Sequence, residues 1–302
     1  MTARNVAVVG TGLIGASWCA RFLRSGYSVL AYDPSPDAEA RLHGALAGWL
    51  TEPAVGGWRQ RLRCVSSLSA ALEDVEFVQE NGPERLDLKQ PLLAEIDQRC
   101  PATTPIASSS SGLMPSQLQT LTHRHPSRVM VGHPLNPPHL IPTLELVPGP
   151  ATGDEDLGRA RRFYESVGMV VIVPRKERPG HVMNRLQAAL LREAFQLVAD
   201  GVVTRDEIDV AVTHGLGLRW AEAGPFALSA IGGGTGGMRH MLDHLGPALN
   251  HWWASMGGFI LDEAAKELLL APSPVFHPAP TDPEPYRRFV QAMRTSLAQS
   301  SP

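Results

Sequence analysis

With 302 residues, 43% of them hydrophobic and 19% charged, the chain can bury a proper core as one large domain or two modest ones, which excludes a disordered protein. A formal net charge of −3 excludes nucleic acid as the main partner, because phosphate binding needs a basic surface. Cys19, Cys64 and Cys100 show no CxxC or Cys/His ligand spacing, and the first apolar run, Val6 to Val9, is too short for a signal peptide or membrane helix. Free thiols, a cytoplasmic location and no membrane association are therefore expected.

Val6-Ala7-Val8-Val9 reads as a buried strand and Ile14 to Ser25 as a helix. Val29 to Tyr32 is a second strand, followed by strands at Phe77-Val78-Gln79, Ile106-Ala107 and Val129-Met130-Val131, with Val170 to Val173 closing the sheet. Strands separated by helix-length segments predict an α/β fold: an N-terminal Rossmann-type, doubly wound, mostly parallel sheet with helices on both faces. The breaker Arg178-Pro179-Gly180 ends this pattern. Beyond it Asn184 to Gly201 forms an amphipathic helix, with Leu186, Leu190, Ala194, Leu197 and Val198 on one face. Thr204 is a helix N-cap with Glu207 completing a capping box. No strand signal follows residue 175, so residues 1–178 are expected to bind the dinucleotide and residues 179–302 to form an all-α substrate and dimerisation domain. Pro272 to Pro285, with six prolines, reads as an extended connector and Tyr286 to Ala298 as a last helix.

The strand Val6 to Val9 runs into Gly10-Thr11-Gly12-Leu13-Ile14-Gly15, a GxGxxG turn that opens a helix. Gly10 permits the tight turn, Gly12 the approach of a pyrophosphate, and Gly15 close helix–strand packing. The helix start at Leu13 and Ile14 offers unpaired N–H groups and a positive dipole end to the phosphates. Asp33, at the end of the second strand, suits a ribose hydroxyl and repels a 2′-phosphate, which selects NAD over NADP; a flavin dinucleotide is the alternative occupant.

The stretch Val131 to Val147 places His133 at the end of a strand and Glu145 twelve residues later, with prolines stiffening the link. Alcohol oxidation needs a base for the hydroxyl proton, and imidazole, with a pKa near neutrality, suits it. A carboxylate beside the ring fixes its tautomer and stabilises the imidazolium. The other histidines show no convergent spacing with cysteines or acids, so no metal site is expected.

GHPLNPPHLIPTLELVPG (132–149), with the glycine-rich loop upstream, resembles the 3-hydroxyacyl-CoA dehydrogenase superfamily. The resemblance extends to QENGPERLDLK (79–89), SSSSGLMPS (108–116), HVMNRLQAALLREAF (181–195), DGVVTRDEID (200–209) and GLGLRWAEAGPF (215–226), and is closest to the branch containing L-gulonate 3-dehydrogenase (lambda-crystallin) and L-carnitine dehydrogenase. It implies that His133 is the general base and Glu145 its partner. It implies also that Ser111 hydrogen-bonds the reacting oxygen, with Ser110 the alternative, that Asn184 faces the same site, and that Glu84 and Lys89 contact NAD. Asn81-Gly82 stands where relatives carry Cys or Ser followed by Val, so a more flexible loop is expected there. His139 stands where Tyr is common, which would alter the pocket.

Only about thirty residues separate Asp33 from Cys64, broken by Pro53 and Gly56-Gly57, which leaves little room for the helical arm that holds CoA in the superfamily. A small free 3-hydroxy acid is therefore favoured over an acyl-CoA, and a bulkier 3-oxo acid is a further alternative. Arg219 is the candidate cation for the substrate carboxylate, an ordinary salt bridge being the other reading. Trp220, Trp252 and Trp253 could cage a quaternary ammonium or lie in a core or dimer interface. The Gly232 to Gly237 run lacks the context of a Walker loop. A non-catalytic NAD-binding structural protein is the rival from another class. A homodimer through the helical domain is expected.

Overall fold

The computed structural model describes residues 4–51 and 56–270. The expected connector and final helix, from Pro272 to Ala298, lie outside them. The chain divides into two compact units between Arg185 and Leu186, inside the helix Met183–Ala199.

The first unit is built on eight strands: β1 (Asn5–Val9), β2 (Ser28–Tyr32), β3 (Leu62–Cys64), β4 (Phe77–Glu80), β5 (Ile106–Ser108), β6 (Val129–Pro134), β7 (Thr143–Val147) and β8 (Val170–Ile172). They form one sheet in the order β3-β2-β1-β4-β5-β6-β7-β8. Every neighbouring pair is parallel except β6 and β7. The sequence reading missed two strands. β3 is a three-residue edge strand with exposed Arg63 at its centre, too short for a pattern. β7 carries a carboxylate, Glu145, amid Leu144, Leu146 and Val147, which disguises a strand buried from Leu144 to Val147.

Alternate residues of the strands enter two separate cores, as the two-residue side-chain period requires. Val6, Val8, Val29 and Ala31 join Trp18, Phe22, Phe77 and Phe163 on one face. Ala7, Val9, Leu30 and Val78 join Leu93, Ile96, Val129 and Val131 on the other. Burial on both faces is why β1 and β2 read as unbroken apolar runs. The helices α1 (Leu13–Arg24) and α2 (Ala38–Trp49) follow β1 and β2. Trp18 and Phe22, one helical turn apart on α1, stack at 5.3 Å and present a single aromatic face to the sheet.

In the second unit every described secondary-structure element from Leu186 onward is a helix. Thr204 caps the helix Arg205–Ala211 as the capping-box motif predicts: its hydroxyl accepts from the Glu207 N–H, and the Glu207 carboxylate accepts from the Thr204 N–H. No described helix is long and apolar enough to cross a membrane.

Candidate active site

At β1 the strand order reverses, with β2 on one side and β4 on the other, and a crevice opens at the carboxyl ends of such strands. The three glycines of the turn have three different physical reasons to lack a side chain. Gly10 adopts φ +84°, and a Cβ there would sit 2.8 Å from the Asn81 carbonyl oxygen across the crevice. A Cβ on Gly15 would lie 1.9 Å from the Gly10 carbonyl oxygen, so the helix packs directly on the turn. Gly12 has nothing within 4 Å of a Cβ position: its face is open, as approach of a phosphate requires. No side chain caps α1 at Gly12, which leaves the N–H groups at Leu13 and Ile14 to an anion. A cleft of about 730 Å³, lined by Gly10, Gly12, Tyr32, Asp33, Asn81 and Gly82, leads away from the turn.

Asp33 fixes this crevice before any ligand arrives. Its Oδ2 accepts from the Thr11 N–H at 2.7 Å and the Thr11 hydroxyl at 3.2 Å, and its Oδ1 accepts from the Ser35 N–H at 3.0 Å. A carboxylate offers about four acceptor positions, so one remains for a ribose hydroxyl. The residues present therefore fit a dinucleotide without a 2′-phosphate.

The antiparallel pairing of β6 and β7 sets His133 directly opposite Glu145. The intervening excursion reverses the chain, so a separation of twelve residues becomes a cross-strand contact. His133 Nδ1 lies 2.8 Å from Glu145 Oε2. With Nδ1–H donating to the carboxylate, the lone pair of the neutral ring sits on Nε2. Glu145 is fully buried, and its other oxygen accepts from the backbone N–H groups of Val182 at 2.6 Å and Met183 at 2.9 Å. Burial pushes its pKa up, but the hydrogen bonds from His133, Met183 and Val182 outweigh that and hold it below the usual carboxylate value.

Glu84 organises the serine loop that follows β5. Its Oε1 accepts from the Ser110 hydroxyl at 2.7 Å and from the N–H groups of Ser111 at 3.0 Å and Gly112 at 2.9 Å. Burial raises its pKa, whereas Ser110, the backbone donors and Lys89 lower it further, so it too stays below its usual value. Ser110 is buried, and its oxygen also accepts from the Leu113 N–H at 3.0 Å. Ser111 is exposed, its hydroxyl 3.5 Å from Glu84. Asn184 joins the same loop by donating to the Ser111 carbonyl at 2.9 Å. Sequence-predicted residues from four separate stretches thus meet in two linked clusters, His133 with Glu145 and Glu84 with Ser110, Ser111 and Asn184.

Three features singled out by the sequence are tied down within the protein itself. Lys89, expected to contact the cofactor, is 1% exposed and donates to both Glu80 oxygens at 2.9 and 3.0 Å. The reason is charge: Glu80 is itself fully buried and needs a cation, so Lys89 braces the loop from beneath. The Asn81-Gly82 segment does not have the expected slack. The Asn81 side-chain amide donates to the Gln79 carbonyl at 3.0 Å and accepts from the Ser109 hydroxyl at 2.7 Å, while the Gly82 N–H donates to Glu80 at 2.5 Å. His139 is buried, stacks on Trp49 at 4.4 Å and pairs its Nδ1 with the Ser17 hydroxyl at 2.7 Å, which ties the excursion to α1. Arg219 lies exposed in the helix Gly217–Glu222 of the second unit, as do Trp220, Trp252 and Trp253 in that unit.

Sequence reasoning also missed His181. It is buried, at φ +50°, with its ring 5.4 Å from that of His133 and Nε2 3.3 Å from the Ser110 carbonyl. Burial, and then His133, lower its pKa. Its position just before the helix Met183–Ala199 carried the only signal, a histidine at a helix entry.

Comparison with known proteins agrees with this geometry. Residues 5–178 match the family model "3-hydroxyacyl-CoA dehydrogenase, NAD binding domain", and residues 180–256 match "3-hydroxyacyl-CoA dehydrogenase, C-terminal domain". The chain is 47% identical to an L-carnitine dehydrogenase of Streptomyces griseus subsp. griseus, over 89% of this chain and 81% of that one. It is 42% identical to a 3-hydroxyacyl-CoA dehydrogenase of Gibberella moniliformis, over 82% of this chain and 79% of that one. Among solved structures, an NAD+-dependent 5-formyl-3-hydroxy-2-methylpyridine 4-carboxylic acid 5-dehydrogenase superposes with a TM-score of 0.83 at 28% identity, covering 98% of this chain and 99% of that one. The chain therefore belongs to the 3-hydroxyacyl-CoA dehydrogenase family and is an NAD-dependent oxidoreductase.

Proposed function

We propose that the protein interconverts a small free 3-hydroxy acid and its 3-oxo acid, with L-carnitine the first substrate to test. The observation that carries the reading is the His133–Glu145 pair, 2.8 Å apart through Nδ1, which leaves Nε2 as the base. In oxidation Nε2 takes the C3 hydroxyl proton, and Glu145 stabilises the imidazolium; in reduction the same nitrogen returns the proton. Bound NAD+ supplies the acceptor for the hydride that leaves C3. Gly10, Gly12, Leu13, Ile14, Gly15 and Asp33 would hold it, on the open face of Gly12 and the remaining acceptor position of Asp33.

Ser110 is already engaged by Glu84 and Leu113, so Ser111 is the hydroxyl available to the substrate oxygen, and Asn184 holds that segment. Arg219 is the proposed partner of the substrate carboxylate. A free acid, rather than a thioester, is supported by the segment after β2: its described helices are α2, of twelve residues, and a four-residue turn at Trp58–Arg61. The 47% identity to an L-carnitine dehydrogenase supports the same substrate class. The second reading, an acyl-CoA substrate, is favoured by the Gibberella moniliformis relative.

A homodimer through the helical unit completes the proposal. That unit exposes Phe226, Ile231, Ile260 and Leu270, each 70% or more accessible, an apolar surface that a monomer would leave in water. Sedimentation of the protein as a monomer at micromolar concentration would remove this part.

NADH formation measured with L-carnitine, L-gulonate, 3-hydroxybutyrate and 3-hydroxybutyryl-CoA tests the substrate class. A higher kcat/KM for the CoA ester than for every free acid overturns it. His133→Ala is expected to lower kcat by at least about 10²-fold with NAD affinity retained. A normal rate in that variant would remove His133 from the chemistry.

A further inference from the structure

At the edge of the sheet, beside the adenosine end of the crevice, three side chains of different chemistry converge. Glu39 and His43 stand one helical turn apart on α2, and Cys64 ends the edge strand β3. One ligand atom from each, a carboxylate oxygen, an imidazole nitrogen and the thiol sulfur, lies within 4.8 Å of the other two. His43 Nε2 is 3.9 Å from Glu39 Oε1. From the geometry we propose that Glu39, His43 and Cys64 form a binding site for a borderline-soft divalent cation, Zn2+ being the natural occupant.

Linear spacing hides the site, because Cys64 arrives from another element, and the proposal departs here from the expectation of no metal site. Sulfur, imidazole and carboxylate are the donor set of tetrahedral zinc, with bonds of about 2.0–2.3 Å and donor separations of roughly 3.4–3.8 Å. The Glu39–His43 separation, 3.9 Å, already stands close to this range, and the two separations to Cys64 are no more than 4.8 Å. Rotation of the exposed Glu39 side chain, with a smaller adjustment of His43 beside the Trp58 ring, closes the gap. The i, i+4 placement on α2 already points both donors to the same side, and the fourth position is left to water. Burial, helped by the charge of Glu39, pushes the Cys64 thiol up to about 11, so the metal must displace a proton from sulfur.

Glu39 and Cys64 also line a recess of about 200 Å³ together with Thr11, Asp33 and Ser35. Asp33 is the residue assigned to the adenosine ribose, so an ion here and the dinucleotide occupy neighbouring ground. Zinc therefore acts as an inhibitor that raises the apparent Kd for NAD.

Cobalt(II) titration of the full chain tests the site without any turnover. The expected result is one equivalent of cobalt, a thiolate-to-cobalt charge-transfer band, the intense visible bands of a four-coordinate ion, and release of about one proton per ion. The other thiols, Cys19 and Cys100, are buried, so the band reports Cys64. Cys64→Ser should abolish the band. His43→Asn, at a half-buried position beside the Trp58 ring, should weaken binding by more than the roughly 10–100-fold that loss of an outer-shell partner costs, in a variant whose thermal melt matches the parent. Cobalt spectra without a thiolate band, or an unchanged affinity in His43→Asn, would overturn the proposal. Zinc affinity indifferent to saturating NAD would remove the inhibitory coupling.

Discussion

Replacing Glu145 by Gln changes one atom at the centre of the proposed chemistry, and the structure dictates its consequence. The carboxylate accepts from two sides at once: Oε2 from His133 Nδ1–H, Oε1 from the N–H groups of Val182 and Met183. An amide has only one acceptor oxygen. If that oxygen keeps the two backbone donors, the NH2 group faces His133 and forces Nδ1 to accept. The proton then moves to Nε2, and the base loses the lone pair it needs. Losing one charge-assisted hydrogen bond costs about 1.5–3 kcal/mol, or roughly 10- to 150-fold. Loss of the negative charge that stabilises the imidazolium adds to this, so the expected fall in kcat lies between about 10²- and 10⁴-fold, the upper bound being that of a wrong-tautomer triad. Stability should change much less, because the backbone donors stay satisfied. The comparison variant Glu145→Ala takes the acceptor from both part-buried N–H groups and from His133, and should be the less stable of the two. Initial rates of NADH formation at saturating substrate, with thermal melts of both variants, measure the two effects. A Glu145→Gln enzyme within about threefold of the parent kcat, the spread of ordinary context effects, would refute the assigned tautomer and with it the role of Glu145.

Asp33→Ala should weaken NAD by about 10- to 150-fold, the value of one charge-assisted hydrogen bond, and narrow the preference over NADP because the repelling charge is gone; titration with both dinucleotides checks it. Gly15→Ala should destabilise the first unit by at least about 1–3 kcal/mol and abolish NAD binding, since its Cβ would lie 1.9 Å from the Gly10 carbonyl oxygen; a thermal melt that matches the parent would contradict the close packing of α1 on the turn. Stability should fall on acidification in two stages. His181 has a depressed pKa, so between its folded value and about 6.5 the unfolded chain binds the extra proton, and stability drops as pH falls through that window. Glu145 and Glu84 are also depressed, and the stability they add above the ordinary glutamate value of about 4.3 is lost as pH falls through their folded values. Denaturant midpoints measured across the acid range should lose the first stage in His181→Phe.

The sequence by itself determined the elements whose signal is local. Gly10, Gly12 and Gly15 state their roles through sterics at three positions of one turn, and Val6 to Val9 declares a strand buried on both faces. Thr204 with Glu207 announces a helix start through hydrogen bonds three residues apart. His133 was legible because an imidazole ends a strand. Tertiary structure alone decided what depends on pairing between elements. The antiparallel turn from β6 to β7 converts a separation of twelve residues into a hydrogen bond, while Lys89 is turned inward by the buried charge of Glu80. His181, and the meeting of Glu39, His43 and Cys64, were equally hidden. Residue type limits the chemistry a side chain can perform, but which groups share its space is set by strand register and burial, and neither is written in linear spacing.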